Sequence, residues 1–377
     1  MTKTRTITLM CCLPDSASVN IKDRLLEKES WTKAETPPAD KMKEALALYP
    51  VTVSALYKEE KGKELSNLFT EVYELAKNGI LFRMFLLDGR IIFQDRLDKR
   101  LSFLGYNSDD KNDLIVFLSK HKSQSETKTL TAHPTGNIEE ADYGGYPFSF
   151  CAPAPVDMKK LLLVMDRLNE ETGLGYDVTY EVTHHGPTEL DVPSLFVEIG
   201  STEKEWADQR PGKIVADAVL SLAESSEFNE SNEPNESNDV GAAEGTVTAD
   251  ERSAKQGAER AAKEAQLLTD QAVAVAFGGG HYGERQTAAI FRTRLAFGHM
   301  FPKYRLECLT EEVIIKAMEK TGTKLAYYDK NSIRGPDRRR ISEILERNGV
   351  VIINDREAAA EYGAGFNLRE KEDSKEQ

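Results

Sequence analysis

The chain has 377 residues, 40% of them hydrophobic and 30% charged, with a formal net charge of −14. This length predicts a large core divided between two lobes. The apolar runs, such as residues 271–277, are too short to span a membrane, and the negative charge excludes a protein that coats nucleic acid without specificity. No export signal precedes Pro14, which predicts a cytoplasmic protein. Four cysteines without CxxC spacing predict neither a zinc ribbon nor a disulfide framework.

The first third of the chain opens like an α/β protein. TITLMCCL predicts a buried strand, followed by a helix that begins at Ser18 or Asn20. Residues 37–78 have helical spacing, and LFRMFLLDGRIIFQD contains Asp88-Gly89, a two-residue hairpin signal. Residues 37–95 are therefore predicted to be a helical and hairpin insertion. DLIVFLSKH predicts a central strand whose carboxyl end brings polar side chains to the rim of a sheet.

Strands and helices continue to alternate in the rest of the chain. DMKKLLLVMDRLNEETG predicts a helix that is capped by Asp157 and ends at Gly173. YDVTYEVTHH and SLFVEIGS predict two strands, and a helix over residues 202–223 is expected to break at Pro211. Residues 224–259 contain almost no large apolar side chains, which predicts a low-complexity insertion. QAVAVAFGGGHYGER then predicts a strand, a glycine loop and a helix, and further helices and strands follow.

This alternation predicts the fold class. We expect an α/β protein with a mostly parallel or mixed sheet in a three-layer αβα arrangement. Residues 1–128 would form a smaller N-terminal α/β lobe that carries the insertion 37–95. Residues 129–377 would form a catalytic α/β lobe with the insertion 224–259.

All six histidines adjoin glycine, proline, serine or threonine in short segments typical of loops. Because neutral imidazole is the commonest metal ligand and a proton carrier near neutral pH, this distribution predicts a chemical site. A role in hydrogen-bonding turns is the alternative for each one. The histidines are His121, His133, His184, His185, His281 and His299.

The segment THHGP and the strand after it offer the first candidates. Adjacent side chains of a strand point to opposite faces, so His184 and His185 can share one ligand only if the backbone turns between them. One is expected to act while the other orients it. Glu198 lies in the apolar strand FVEIGS, where a carboxylate needs a partner; this would be a histidine, a metal or, alternatively, an arginine.

GGGHYGER offers the second candidate. Three glycines between a strand and a helix present amides that could hold a phosphate or a developing oxyanion, and Arg285 could hold an anion. The spacing matches neither a dinucleotide-binding loop nor a P-loop, and the chain has no GxSxG or HExxH motif. Hydrolysis assisted by a metal or by histidine remains.

These same segments resemble a known family. SKHKSQS, LTAHPTGN, YEVTHHGPTELDVPSLFVEIGSTEKEW and AFGGGHYGERQ are similar to the D-aminoacyl-tRNA deacylases of the archaeal and plant type. The resemblance implies hydrolysis of the ester that joins a D-amino acid to the terminal ribose of tRNA, with Zn²⁺ as cofactor. It also implies a lobe like the phosphorylase and peptidyl-tRNA hydrolase folds. Residues 37–78 and 224–259 depart from the family's compact pattern.

The resulting hypothesis is a monomeric cytoplasmic esterase that acts on mischarged tRNA and binds neither DNA nor a membrane. A peptidyl-tRNA hydrolase-like or phosphorylase-like enzyme, or a tRNA-binding protein without activity, is the alternative. The expected catalytic residues are His184, His121, His281 and Glu198, and the expected metal ligands are His184, His185, His121 and Glu198. The expected substrate contacts are Lys120, Lys122, Thr183, His133, Gly278, Gly279, Gly280 and Arg285.

Overall fold

The structure is a computed structural model, and it describes residues 4–53, 66–106, 113–224, 260 and 262–363. The predicted low-complexity insertion 224–259 lies, apart from Glu224, outside the described residues.

A mixed eight-stranded sheet organises the first two hundred residues. Its strand order is β2-β3-β4-β1-β5-β10-β6-β9; β1 is parallel to β4 and β5, β5 is parallel to β10, and β10 is antiparallel to β6. The strands β7 and β8, which lie between β6 and β9 in the sequence, form a separate two-stranded ribbon. The strands are β1 (Arg5–Cys12), β2 (Thr32–Ala34), β3 (Leu68–Lys77), β4 (Ile80–Asp88), β5 (Leu114–Lys120), β6 (Thr129–His133), β7 (Gly136–Asn137), β8 (Ser149–Phe150), β9 (Asp177–Tyr180) and β10 (Ser194–Gly200).

A second sheet of four parallel strands follows, in the order β12-β11-β13-β14. Its strands are rich in alanine, valine and aromatic residues, as expected where both faces are covered. They are β11 (Ala272–Phe277), β12 (Leu295–Phe301), β13 (Leu325–Tyr328) and β14 (Val351–Asn354).

Helices cover both faces of the sheets. Leu9 and Val116 face the core beneath α1, α4 and α6, whereas Met10 and Phe117 pack in a second core with α3. The helix α4 contacts strands of both sheets and so joins them. The helices are α1 (Ser16–Lys28), α2 (Ala39–Leu48), α3 (Leu97–Phe103), α4 (Pro155–Thr172), α5 (Glu203–Ala207), α6 (Gln209–Ser221), α7 (Glu284–Arg292), α8 (Glu311–Thr321), α9 (Gly335–Arg347) and α10 (Asp355–Tyr362).

The predicted α/β class with a mixed, layered sheet is confirmed. Within the described residues, none of the helices combines the length and the apolar character that crossing a bilayer requires.

The predicted segment 37–95 contains a helix and a hairpin. The helix is α2, and residues 68–88 form the hairpin of β3 and β4, with β4 between β3 and β1 in the sheet. The hairpin turn is Asn78-Gly79, both with positive φ, because this pair suits a turn that matches the twist of the strands. Asp88-Gly89 does not form the predicted hairpin: it leads into the 3₁₀ turn Ile91–Phe93, whose apolar side chains are buried.

The predicted lobe boundary at residue 128 falls inside the large sheet. β10 inserts between β5 and β6, so strands from both sides of that boundary are hydrogen-bonded to one another. The change from one sheet to the other comes instead between Gly200 and Ala272. A pairing of strands so distant in sequence leaves no signal in local composition.

Three helix boundaries also differ from the predictions. Asp15 caps α1 through the amides of Ala17 and Ser18, so the helix begins before the predicted Ser18. Asp157 lies inside the first turn of α4 and pairs with Arg5 at 2.8 Å instead of capping the helix. The break in 202–223 falls at Asp208, which caps α6, because Pro211 occupies the first turn, where a missing amide costs no hydrogen bond.

Candidate active site

Five histidines and two glutamates converge at one edge of the large sheet. They come from segments that are far apart in the sequence, and we refer to them as the histidine–glutamate cluster. Its members are His121, His133, Glu181, His184, His185, Glu198 and His281.

Three neighbouring strands of the large sheet supply one side of the cluster. His121 directly follows β5, Glu198 lies in β10, and His133 ends β6. The register places Glu198 beside Thr131, and His133 beside Phe196, with the His133 and Phe196 rings stacked at 5.1 Å. The predicted delivery of His121 to the rim by a central strand is confirmed.

The segment after β9 supplies Glu181, His184 and His185. Glu181 forms an antiparallel bridge with Tyr282, and His184 forms a parallel bridge with Thr135. His185 has φ of +47°, so the backbone turns and the two adjacent rings lie 4.4 Å apart. Both imidazoles therefore face the cluster, which the strand argument allowed only if such a turn existed.

The loop between β11 and α7 supplies His281. The Val182 amide donates to the His281 carbonyl at 3.1 Å, which fixes this loop against the Glu181 segment. Tyr282 follows, and its hydroxyl lies 2.9 Å from His121 Nε2. The loop thus brings one imidazole and one phenol to the cluster.

The two carboxylates lie between the imidazoles. His121 Nδ1 is 3.3 Å from Glu181 Oε1 and 3.4 Å from Glu198 Oε2. Glu198 Oε2 is 3.8 Å from His133 Nε2. Glu181 Oε2 is 3.8 Å from His184 Nε2 and 3.6 Å from His281 Nε2.

The environment separates the protonation states of these groups. Burial alone would raise the pKa of Glu198, but the nearby imidazoles of His121 and His133 outweigh it and hold that pKa well below its usual range. Burial would lower the pKa of His121, but Glu198 and Glu181 raise it to about 9. Burial and neighbouring imidazoles lower the pKa of His184 well below its usual range, and burial lowers that of His185 to about 4. The last two rings are thus neutral and able to bind a metal near pH 7.

The donor set fits a metal ion. Three groups of side chains have ligand atoms within 4.8 Å of one another: His133 with His184 and His185, His121 with Glu181 and His281, and His133 with Glu181 and Glu198. Both carboxylate oxygens of Glu181 and Nε2 of His133 are buried without a hydrogen-bond partner. Such orphaned donors and acceptors call for a partner that the protein itself does not supply, and imidazole plus carboxylate suits zinc. The predicted ligands His184, His185, His121 and Glu198 are divided among these three groups.

The predicted substrate contacts outside the glycine loop differ in exposure and in the protein groups that they already contact. Lys120 Nζ lies over the Trp206 ring at 4.8 Å, and Lys122 is exposed. Arg285 pairs with Asp329 at 3.2 Å and with Asp355 at 2.5 Å. Thr183 is buried and donates or accepts at 3.1 Å with His299 Nδ1, so it supports the segment that bears His184.

The glycine loop is used partly by the protein itself. The Gly278 amide donates to the Phe301 carbonyl at 2.9 Å, and the Gly279 amide donates to Ser332 Oγ at 2.7 Å. Among the three glycine amides of the predicted anion cradle, Gly280 is the one left without a protein partner in the described chain.

His299 lies outside the cluster. Its two ring nitrogens contact Thr183 Oγ1 and the Cys151 carbonyl, each at 3.1 Å, and burial lowers its pKa to about 3. The sixth histidine therefore has the turn-bonding role that was the alternative.

Two residues of the site were absent from the sequence prediction. Glu181 alternates with apolar residues in YDVTYEVTHH, a pattern typical of the wetter face of a strand, yet it is fully buried. Its position three residues before His184, between Tyr180 and Val182, is the same signal that identified Glu198. Tyr282 follows His281 directly and carried no separate signal.

Several known proteins are similar to this chain over most of its length. The family model described as D-aminoacyl-tRNA deacylase matches residues 108–353, which hold the whole cluster. The D-aminoacyl-tRNA deacylase of Methanosarcina acetivorans is 38% identical over 358 residues, 95% of each protein, and that of Pyrococcus horikoshii is 35% identical over 268 residues, 70% of this chain and 81% of its own length. The crystal structure of AF0625, a conserved protein of unknown function, matches with a TM-score of 0.69 and 27% identity over 96% of this chain and 99% of that one.

Proposed function

The chain belongs to the D-aminoacyl-tRNA deacylase family, and from this membership we propose that its histidine–glutamate cluster hydrolyses the ester of a D-aminoacyl-tRNA. The products are a free D-amino acid and tRNA. The observation that supports this assignment is the convergence of five imidazoles and two buried carboxylates, with both oxygens of Glu181 lacking a hydrogen-bond partner.

A zinc ion held by His133, His184 and His185 is part of this proposal. These three side chains form one group of nitrogen ligands, and the pKa values of His184 and His185 are lowered, which favours the neutral form that binds metal. When bound, such an ion polarises the ester carbonyl and lowers the pKa of a water molecule. His121, Glu181 and His281 form a second group with the same kind of donors.

The carboxylates of Glu181 and Glu198 and the Tyr282 hydroxyl have roles in proton transfer. Glu181 Oε2 lies between His184 and His281, where it can accept the proton of the attacking water. Glu198 Oε2 lies 3.4 Å from His121 Nδ1 and 3.8 Å from His133 Nε2, so its charge can orient both rings. His121 links the carboxylates through Nδ1 to the Tyr282 hydroxyl through Nε2, a path along which a proton can reach the leaving ribose oxygen.

Replacement of His184 by Ala tests the assignment. Turnover of D-aminoacyl-tRNA should fall by at least about 100-fold, because one imidazole of the group is lost. The far-UV circular dichroism should be unchanged, and the metal content of protein purified without chelator should drop. Unchanged turnover would remove His184 from the site.

Parallel assays separate the alternatives. Treatment of the wild-type chain with EDTA should abolish turnover, and added Zn²⁺ should restore it. N-acyl-aminoacyl-tRNA should be a poor substrate, whereas preference for it would indicate a peptidyl-tRNA hydrolase-like enzyme. Binding of tRNA without turnover in the presence of zinc would indicate a binding protein. A monomeric state and a cytoplasmic location stay predictions, the first open to gel filtration.

A further inference from the structure

Exposed aromatic rings are concentrated beside the histidine–glutamate cluster. Three of the five exposed aromatic side chains in the described residues lie in the loop 138–148 between β7 and β8. They are Tyr143, 66% exposed, Tyr146, 39% exposed, and Phe148, 40% exposed. Tyr304, 49% exposed, lies in the segment after β12. Single exposed rings are ordinary on a protein surface, but such a concentration marks an interaction surface.

The loop 138–148 is fastened to the segment that carries His185. The Gly186 amide donates to the Tyr143 carbonyl at 3.1 Å, and the Tyr146 amide donates to Thr188 Oγ1 at 2.9 Å. The backbones approach so closely that a Cβ atom on Gly186 would lie 2.6 Å from the Gly144 carbonyl carbon. The backbone of this loop is therefore held against the segment that follows the two adjacent histidines.

The segment that carries Tyr304 is fastened to the glycine loop in front of His281. The Lys303 amide donates to the Gly279 carbonyl at 3.0 Å. Arg305 pairs with Glu139 at 2.8 Å, and this pair joins the segment to the start of the loop 138–148. Aromatic rings thus adjoin the cluster along both histidine-bearing segments.

The substrate brings unpaired bases to this place. The ester to be hydrolysed is attached to the terminal ribose of the tRNA, so the last bases lie within a nucleotide or two of the reacting carbonyl. Unpaired bases are recognised by stacking on aromatic side chains, which tolerates any sequence because every base has a π-face. Exposed Lys303 and Arg305 supply positive charge for the phosphates in a chain whose net charge is −14.

We propose that Tyr143, Tyr146, Phe148 and Tyr304 form a stacking platform that binds the unpaired 3′-terminal nucleotides of tRNA. The proposal rests on the proposed function and extends it to the positioning of the substrate. A protein partner would also fit exposed rings, but the position beside the hydrolytic cluster and the adjoining cations favour the single-stranded nucleic acid. The platform holds the bases while the cluster acts on the ester.

The full chain, purified with its metal, is tested with two probes. The first is the trinucleotide CCA, whose affinity is measured by titration calorimetry without any turnover. The second is D-aminoacyl-tRNA, for which kcat and KM are measured. Tyr143→Ala and Tyr304→Ala should each weaken CCA binding and raise KM by about 5- to 150-fold, the range for loss of one stacked base, with kcat changed little. Tyr143→Phe and Tyr304→Phe keep the ring and should behave like the wild type.

Phe148 and Phe103 form a matched pair, since each is 40% exposed and Phe103 ends α3, outside the loop 138–148. Phe148→Ala should weaken CCA binding, and Phe103→Ala should leave it unchanged. Unaltered CCA affinity and KM in Tyr143→Ala and Tyr304→Ala would overturn the proposed stacking platform. Variants that change only the association of the chain with itself would overturn it as well. Because CCA binding needs no turnover, it can succeed even if the chain fails to hydrolyse D-aminoacyl-tRNA, so the two proposals fail separately.

Discussion

The histidine–glutamate cluster and the pocket around His299 are neighbouring regions that differ in whether their buried polar atoms have hydrogen-bond partners. Both ring nitrogens of His299 have partners, and Thr183, one of those partners, directly precedes His184. In the cluster, by contrast, both oxygens of Glu181 and Nε2 of His133 are buried without a hydrogen bond. His133 and His299 are both fully buried histidines, so neither burial nor residue type separates these two side chains. A buried polar group left unsatisfied by its own protein, rather than a buried histidine as such, marks the site.

The largest effect is expected for Glu181→Gln. The change keeps the size of the side chain but removes the charge between His184 and His281, so kcat for D-aminoacyl-tRNA should fall by about 100- to 10,000-fold. The free energy of unfolding of the metal-free protein should change little, because the cost of burying the Glu181 carboxylate offsets its attraction to His121 at 3.3 Å. Single-turnover kinetics and chemical denaturation with chelator measure the two quantities.

Glu205→Gln is the matched control for that change. Glu205 is also buried, but its carboxylate accepts from the amide and hydroxyl of Thr202 in a capping box at α5. Its loss should lower the free energy of unfolding by about 0.5–2 kcal/mol and leave kcat unchanged. Full activity in Glu181→Gln would contradict the contrast between satisfied and unsatisfied carboxylates.

His299→Ala should reverse the pattern of His184→Ala. It leaves the Cys151 carbonyl without its donor, so the free energy of unfolding should fall by about 1–3 kcal/mol, while kcat stays within about twofold of the wild type. Thermal denaturation and deacylation are measured on the same preparation. If His299→Ala lost turnover without losing stability, the two regions would have to be treated as one site.

Much of the site could be predicted because its residues stand out from their immediate neighbours in the sequence. His121 ends a buried strand, His281 follows three glycines, and Glu198 is a carboxylate in an apolar strand. The α/β alternation then implies that strand ends meet at one edge. In the structure His121, His184, His281 and Glu198 lie together, although His281 follows a strand of the second sheet.

The rest depended on contacts that the sequence does not show. Glu181 fits the polar face of an alternating strand, and its burial comes from tertiary contacts such as the approach of His281 from the second sheet. The boundary predicted at residue 128 was based on local composition, whereas the pairing of β10 with β5 joins residues about eighty positions apart. The turn at His185 likewise depends on the tertiary position of the loop, since nothing in HHGP requires φ above zero at the histidine.

Lys159 extends the comparison to a cation and gives the smallest expected effect. It is fully buried in α4, and its Nζ donates to the carbonyls of Thr293 at 2.5 Å and Leu295 at 2.9 Å. Burial, with the charge of Arg294, lowers its pKa from 10.5 to about 7. Between about pH 7 and 10 the unfolded chain therefore binds a proton that the folded chain does not, so stability should rise with pH by at most about 1.4 kcal/mol per unit from this residue.

Lys159→Met should flatten that rise, whereas Lys43→Met, at an exposed position of α2, should leave it unchanged. Denaturation midpoints at pH 7, 8 and 9 measure the slope, and an equal slope in wild type and Lys159→Met would show that the ammonium stays charged, held by its two carbonyls as securely as His299 is held by its own partners.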